Sequence, residues 1–249
     1  MRLEGHVVIV TGASSGLGVQ FAKALTRAGA ATVLAARRSE RVQQLAADLG
    51  GNCHPVRCDV VDPGDRARLV QAALGRFGHI DGLVNNAGVA DIAPALRQST
   101  EDFERVVDVN LVAPFALARD VATVMREAGG GAIVNIASVA GLVPVSWQPH
   151  ASYVASKTGL VGLTRELASQ WGRYGIRVNA IAPGAFTTEM AGDSYEAGPP
   201  AERMRQAIPL GRIGRPGELD GLLVLLLHPD GGYISGQTIA VDGGLSASL

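Results

Sequence analysis

Val7-Val8-Ile9-Val10-Thr11-Gly12-Ala13-Ser14-Ser15-Gly16-Leu17-Gly18 is the stretch that decides the fold. Four consecutive apolar residues fit a strand covered on both faces, as strands of parallel sheets are. The run breaks into a glycine-rich turn, and an amphipathic stretch over Gly16–Ala28 follows, ending at Gly29. Such a turn between strand and helix lets the backbone approach a pyrophosphate, while the helix N-terminus offers N–H donors and partial positive charge. The spacing is G-x-x-x-G-x-G, unlike the G-x-G-x-x-G of other dinucleotide folds. Gly12, Ser14, Ser15, Gly16, Leu17 and Gly18 are therefore candidates for a phosphate-holding loop. The plainer alternative is a tight turn that needs glycine.

Outward from this stretch the alternation repeats. Apolar runs at Ala31–Ala35, His54–Arg57, Asp81–Asn85, Ala132–Ile136, Arg177–Ile181 and Thr238–Val241 predict further strands. Helical patterns fall between them at Arg41–Leu49, Asp65–Phe77, Glu101–Glu127, Ser152–Trp171 and Glu218–Leu227. Strands alternating with helices of this length predict an α/β fold, a doubly wound parallel sheet of about seven strands with helices on both faces. No linker or repeat interrupts it, so residues 1–249 are expected to form a single domain. The exception to regularity is 186–215, rich in Gly, Pro and polar residues, which is predicted to be an irregular excursion acting as a substrate loop or lid.

Composition excludes several classes. The chain is 47% hydrophobic and 18% charged with a formal net charge of -1, so no basic excess points to nucleic acid and no charged tail to a membrane surface. Cys53 and Cys58 have no partner Cys/His set at zinc spacing, so no metal centre is expected. They read as small, partly buried residues of a protein in a reducing cytoplasm. The apolar run after His6 is too short for a signal segment, and Leu222–Leu227 is far below a membrane span. A soluble, cytoplasmic protein is expected.

The end of the second strand bears on the nucleotide. A carboxylate there would bond the ribose 2′-hydroxyl of NAD. The segment reads Leu34-Ala35-Ala36-Arg37-Arg38, and guanidinium groups instead suit a 2′-phosphate. This predicts NADP(H), with NAD(H) as the alternative; a solvated basic pair is the structural reading.

Tyr153 and Lys157 stand four apart in a helical pattern and so share one face. An ammonium beside a phenol favours the phenolate and brings the phenol closer to the range useful for general acid–base work. An exposed aromatic and charge on a helix surface is the plain alternative.

Taken together and in order, these motifs make the chain resemble the short-chain dehydrogenase/reductase family over essentially its full length, nearest to its β-ketoacyl-carrier-protein reductase-like group. The residues that carry the resemblance are the glycine motif, Asn85-Asn86-Ala87-Gly88, the series Asn110, Ser138, Tyr153 and Lys157, the segment Pro183-Gly184 with Thr188, and Asp242-Gly243-Gly244. The resemblance implies a Rossmann-type fold and an NAD(P)-dependent oxidoreductase acting on a ketone and a secondary alcohol. It implies that Tyr153 exchanges a proton with the substrate oxygen and that Lys157 tunes it and binds the nicotinamide ribose. By the same resemblance Ser138 bonds the substrate oxygen and Asn110 holds a water that relays protons. Asp59 and Val60 would flank the adenine, Asn86, Ala87 and Gly88 the adenosine ribose, Pro183, Gly184 and Thr188 would contact the nicotinamide, and Phe186 and Thr188 would hold its carboxamide. A homotetramer built through the long central helices is also implied.

Two departures mark this chain. Ser138 and Tyr153 are about two residues further apart than is usual in the family, so the loop Leu142–His150 should line a pocket of its own. No basic residue precedes the second glycine of the loop, where Ser15 stands, so Arg37 would carry most of the NADP preference. Within the longer loop, Trp147 is predicted to wall the substrate pocket, or merely to pack. His150 is a further substrate-contact candidate, or a satisfied polar residue. A non-catalytic NADP-binding regulator is the function reading from a different class; such a protein would keep the glycine loop and lose members of the series, all four of which are present.

Overall fold

The structure, a computed structural model, describes residues 1–144, 149–187 and 199–248. Trp147 and Thr188 therefore lie outside the described residues, as does 188–198 of the expected lid.

Seven strands form one parallel sheet in the order β3-β2-β1-β4-β5-β6-β7. They are β1 (Val7–Thr11), β2 (Ala31–Ala36), β3 (Cys53–Arg57), β4 (Gly82–Asn85), β5 (Gly131–Ile136), β6 (Ile176–Pro183) and β7 (Thr238–Val241). The helices are α1 (Gly16–Arg27), α2 (Ser39–Leu49), α3 (Pro63–Phe77), α4 (Thr100–Val107), α5 (Ala113–Ala128), α6 (Ala151–Trp171), α7 (Pro199–Ala207) and α8 (Asp220–Leu227). Successive side chains of a strand point to opposite faces, and β1 supplies both cores. Val8 and Val10 join Phe21, Leu25, Leu223 and Leu227 on one side. Val7 and Ile9 join Leu69, Leu117, Val121 and Leu167 on the other. This is why the first strand reads as unbroken apolar sequence.

Strand order reverses direction between β1 and β4. Loops leaving neighbouring strands there diverge and open a crevice at the carboxyl ends, where ligands bind in doubly wound sheets.

Two features differ from expectation. The helical pattern over Glu101–Glu127 is three pieces: α4, a π-turn at Asp108–Val112, and α5. Pro114 explains the interruption. It has no N–H, so it cannot give the α-helical bond to the carbonyl of Asn110 four residues earlier. The second difference is α7, which lies inside the stretch expected to be irregular. Prolines at 199 and 200 suit a helix start, where their missing donors cost nothing. Met204 and Ile208 then pack with Val139, Ala185 and Leu245 as a small core of their own.

Candidate active site

A cleft of about 540 Å³ opens at the carboxyl ends of β1, β4, β5 and β6. Its floor at one end is the glycine loop. Gly12 has φ +67°, and a Cβ there would stand 2.8 Å from Asn86 Nδ2 and 2.9 Å from the Ala87 Cα. A Cβ at Gly18 would overlap the Gly12 carbonyl oxygen. The loop is held from beneath by β4: the Thr11 hydroxyl accepts the N–H of Asn86 and of Ala87, both at 3.0 Å, and Asn86 Nδ2 donates to the Thr11 carbonyl at 2.9 Å. Backbone thus comes close where side chains are excluded, a cradle shaped for a diphosphate at the start of α1.

Arg37 and Arg38 line the same end. Arg38 Nε donates to Ser14 Oγ at 3.1 Å and its Nη2 to Ser15 Oγ at 2.6 Å. The guanidinium bonded to the loop is that of Arg38, and Arg37 lines the cleft beside it. The neighbouring wall is the turn after β3. Asp65 Oδ2 accepts the Asp59 N–H at 2.7 Å, and Arg66 Nη1 donates to the carbonyls of Val60 and Val61 at 2.7 and 2.9 Å. Asp59 and Val60 are thereby fixed by the first turn of α3. Cys58 beside them is buried, and burial pushes its thiol up to about 11, so it stays a neutral apolar side chain.

At the other end stand Ser138, Tyr153 and Lys157. Ser138 follows β5, and its Oγ accepts the Ala140 N–H at 3.2 Å. Lys157 is buried, its Nζ donating to the Ile136 carbonyl at 2.7 Å and lying 5.7 Å from the centre of the Tyr153 ring. Asn110 is fully buried behind the cleft and does not line it. Its Oδ1 accepts the Val89 N–H at 2.9 Å, and its Nδ2 donates to the Val89 carbonyl at 2.9 Å and to Ser156 Oγ at 3.1 Å. Ser156 Oγ in turn donates to the Tyr153 carbonyl at 2.8 Å. One amide side chain thus joins the loop after β4, the π-turn and α6. Gly88 sits between them: a Cβ there would be 3.3 Å from Asn110 Oδ1 and 3.6 Å from Lys157 Nζ.

Burial lowers the Lys157 ammonium from 10.5 to about 8. The unfolded chain then holds this proton more tightly than the folded one, so stability rises with pH between the two values. Below pH 8 the buried charge costs on the order of 3 kcal/mol, a cost that fades as pH climbs toward 10.5. Lys157→Met removes the charge and leaves the Ile136 carbonyl without its donor, a loss independent of pH. In ligand-free protein, the melting temperature of the unmodified chain is expected to rise relative to Lys157→Met between pH 8 and 10. A difference that stays flat across that range contradicts the buried ammonium.

The remaining wall is Pro183, Gly184 and Phe186 with apolar neighbours. Gly184 is crowded by the chain at Asp242, 2.7 Å from a would-be Cβ, and its N–H bonds the Val241 carbonyl at 3.0 Å. Phe186 packs on Gly214 through a parallel bridge. His150 lines the cleft with its ring edge-on to Tyr153, centroids 5.7 Å apart at 83°. Sequence reasoning missed Ile92, Val139, Ala185, Met204 and Leu245, which also line it. Met204 had a legible signal in the paired prolines that start α7. The others come from scattered loops and carry none.

Residues 12–246 match the family model described as enoyl-(acyl carrier protein) reductase. The chain is 39% identical over 246 residues to a D-threitol dehydrogenase of Mycolicibacterium smegmatis, covering 98% of this chain and 94% of that protein. It is similar to the solved structure of a short-chain type dehydrogenase/reductase from Mycobacterium marinum, with a TM-score of 0.93 and 35% identity over 98% of this chain and 96% of that one. A gluconate 5-dehydrogenase from Burkholderia cenocepacia, solved in complex with NADP and tartrate, gives a TM-score of 0.94 at 33% identity, covering 100% and 98% of the two chains.

Proposed function

Because the chain belongs to the short-chain dehydrogenase/reductase family, we propose that it interconverts a ketone and a secondary alcohol with NADP(H), using Tyr153 as acid and base. One observation carries this reading: Ser138, Tyr153 and the buried ammonium of Lys157 share a single cleft with the glycine loop, Arg37 and Arg38. The fit of a dinucleotide rests on Gly12 and Gly18, where a Cβ would fill the space or displace backbone. D-threitol dehydrogenase and an NADP-bound gluconate 5-dehydrogenase among the relatives support a small oxygenated substrate and this cofactor.

When bound, the nicotinamide nucleotide gives or takes the hydride. The chain does the rest. Tyr153 hands its proton to the carbonyl oxygen during reduction and removes it from the alcohol in reverse. The Ser138 hydroxyl bonds the same oxygen as negative charge grows on it. Lys157 favours the phenolate through its charge and reaches the nicotinamide ribose. Both amide hydrogens of Asn110 are taken, so its relay water is assigned to the main-chain carbonyl that Pro114 cannot serve. Arg37 and Arg38 hold the 2′-phosphate, Asp59 and Val60 the adenine, and Asn86, Ala87 and Gly88 its ribose. Pro183, Gly184 and Phe186 face the carboxamide with Thr188, and α7 carries part of a lid over 186–215.

A homotetramer belongs to the same reading, supported by the exposed apolar side chains of Phe103 on α4, Val112 on the π-turn and Phe115 on α5. So does a cytoplasmic location, since Cys53 and Cys58 are both free.

The test is steady-state turnover of NADPH and NADH against a ketone panel, run on the unmodified chain and on the Arg37→Ala/Arg38→Ala variant. The variant is expected to lose on the order of 100-fold in kcat/KM with NADPH and only a few-fold with NADH, as suits two charge-assisted bonds to a phosphate. An unmodified enzyme that prefers NADH overturns the cofactor assignment. Tight NADPH binding without turnover of any ketone favours a non-catalytic nucleotide-binding protein.

A further inference from the structure

Arg66 occupies a position where folding alone would favour an apolar residue. Residues 66, 69, 70 and 73 fall on one stripe of α3, and Leu69, Val70 and Ala73 pack into the core with Val7 and Ile9. Arg66 shares that buried face and is 8% exposed. Three features make this costly. No carboxylate pairs with its guanidinium among the described residues, since neighbouring Asp65 is engaged by Arg57 and Arg68. Its Nε is buried with no hydrogen-bond partner among the described residues, and such groups are rare. It also brings a cation to the first turn of α3, where the helix dipole favours anions. A buried charge of this kind can often be replaced by an apolar side chain at no loss of stability. Local rules are broken in this way chiefly at functional sites.

What the guanidinium touches supplies the reason. Its Nη1 donates to the carbonyls of Val60 and Val61 at 2.7 and 2.9 Å, using both hydrogens. Arg66 itself does not line the cleft, but Asp59 and Val60 do. Their turn leaves β3, which has a neighbouring strand on one side only, and Val61 is exposed. Neither the sheet nor the core therefore holds the turn, and its hydrogen bonds must. The Asp59 N–H goes to Asp65 Oδ2, the Val61 N–H to Asp59 Oδ1 at 3.2 Å, and the Asp59 carbonyl accepts the Asp62 N–H at 3.1 Å. With both remaining carbonyls tied to Arg66, the Val60 N–H is the one main-chain group of 59–61 without a partner among the described residues. The open donor belongs to the cleft wall, and everything around it is fastened.

We propose that Arg66 is a positioning residue for the nucleotide: at a cost in folding stability, it holds Val60 and Val61 in the conformation that meets the adenosine half. This rests on the nucleotide reading above and adds to it a residue outside the cleft. A turn fixed before binding loses less freedom when the ligand arrives, and affinity rises accordingly. Stability and affinity should then respond to substitution of Arg66 in opposite directions, which a residue serving the fold alone would not show.

The unmodified chain, Arg66→Met and Arg66→Lys are compared by thermal melting without ligand, by steady-state kinetics, and by calorimetric titration with NADPH and with adenosine 2′,5′-bisphosphate, which carries the adenosine half alone. Arg66→Met is expected to melt at the same temperature or higher. It should bind both ligands on the order of tenfold more weakly and raise KM for NADPH by a similar factor, with kcat within about twofold. Arg66→Lys keeps a donor for one carbonyl and should recover part of the affinity. Affinities of Arg66→Met within about twofold of the unmodified chain overturn the proposal. A loss of affinity that comes with a lower melting temperature overturns it too, because Arg66 is then a support of the fold. If both ligands bind and respond as expected but no ketone turns over, the role of Arg66 stands and the oxidoreductase reading falls. If the unmodified chain binds neither ligand, the nucleotide reading falls and this inference with it.

Discussion

Tyr153→Phe is expected to lower kcat for ketone reduction by a factor on the order of 10³, the middle of the range that a positioned acid contributes. The substitution keeps the ring, its edge-on contact with His150 and its place above the Lys157 ammonium. It removes only the oxygen and its proton. Ser138 can still bond the carbonyl oxygen, so binding of the ketone should weaken little, while the charge that develops on that oxygen has no proton to meet. Affinity for NADPH should move by less than about tenfold, because the glycine loop and the arginines proposed to make most of the charge-assisted contacts line the far end of the cleft. Steady-state kinetics with fluorescence titration of NADPH measures both. A variant that retains more than a tenth of kcat removes Tyr153 from the chemistry.

Gly18→Ala should be the most damaging single methyl group in the molecule. The added Cβ would overlap the Gly12 carbonyl oxygen and stand 2.8 Å from both the Gly12 carbonyl carbon and Asn86 Nδ2. Two of these are backbone, and the third is tied to the Thr11 carbonyl, so nothing yields cheaply. Relief requires α1 to lift away from the loop. Overpacking of this kind costs about 1–3 kcal/mol, and it also moves the N–H groups that would face a diphosphate in the proposed site. Affinity for NADPH is expected to fall on the order of 100-fold, since those bonds are to charged oxygens. Gly75→Ala is the control: nothing lies within 4 Å of its would-be Cβ, it sits inside α3, and the change should stabilise by about 0.5–1 kcal/mol. Thermal melts and NADPH titration decide, and a Gly18→Ala protein with both quantities unchanged refutes the account.

The middle of the sheet was legible because its strands β2, β1, β4, β5 and β6 are buried on two sides. Val7 to Val10 must be apolar throughout, and the glycines after them must be small for reasons of space that sequence registers directly. Most of the glycine-loop end of the cleft was legible in the same way, since it is built from one strand, one turn and the next strand end. The π-turn was not, although Pro114 marks it, because apolar periodicity runs through Asp108–Val112 without a visible break. The helix α7 was obscured by the glycines and prolines around it, and its Met204 becomes apolar wall only through contacts with Val139 and Leu245. The bonds of Arg38 to Ser14 and Ser15 exist only in three dimensions: side chains adjacent in sequence leave a strand end in different directions. That His150 Nε2 is buried with no hydrogen-bond partner among the described residues is likewise invisible in one dimension.

The division of labour at Asn110 bears on how this position can drift over evolutionary time. Its side chain serves as a three-way joint, with one acceptor and two donors all engaged, and its main-chain carbonyl is one that Pro114, having no N–H, cannot serve. Every amino acid brings a carbonyl, but few bring a short planar amide that can bind both groups of Val89 while holding Ser156. Tolerance to mutation at residue 110 should therefore be set by architecture, and a relay water on the main-chain carbonyl, as proposed, would persist in any descendant that found another way to fasten the loop to the helix.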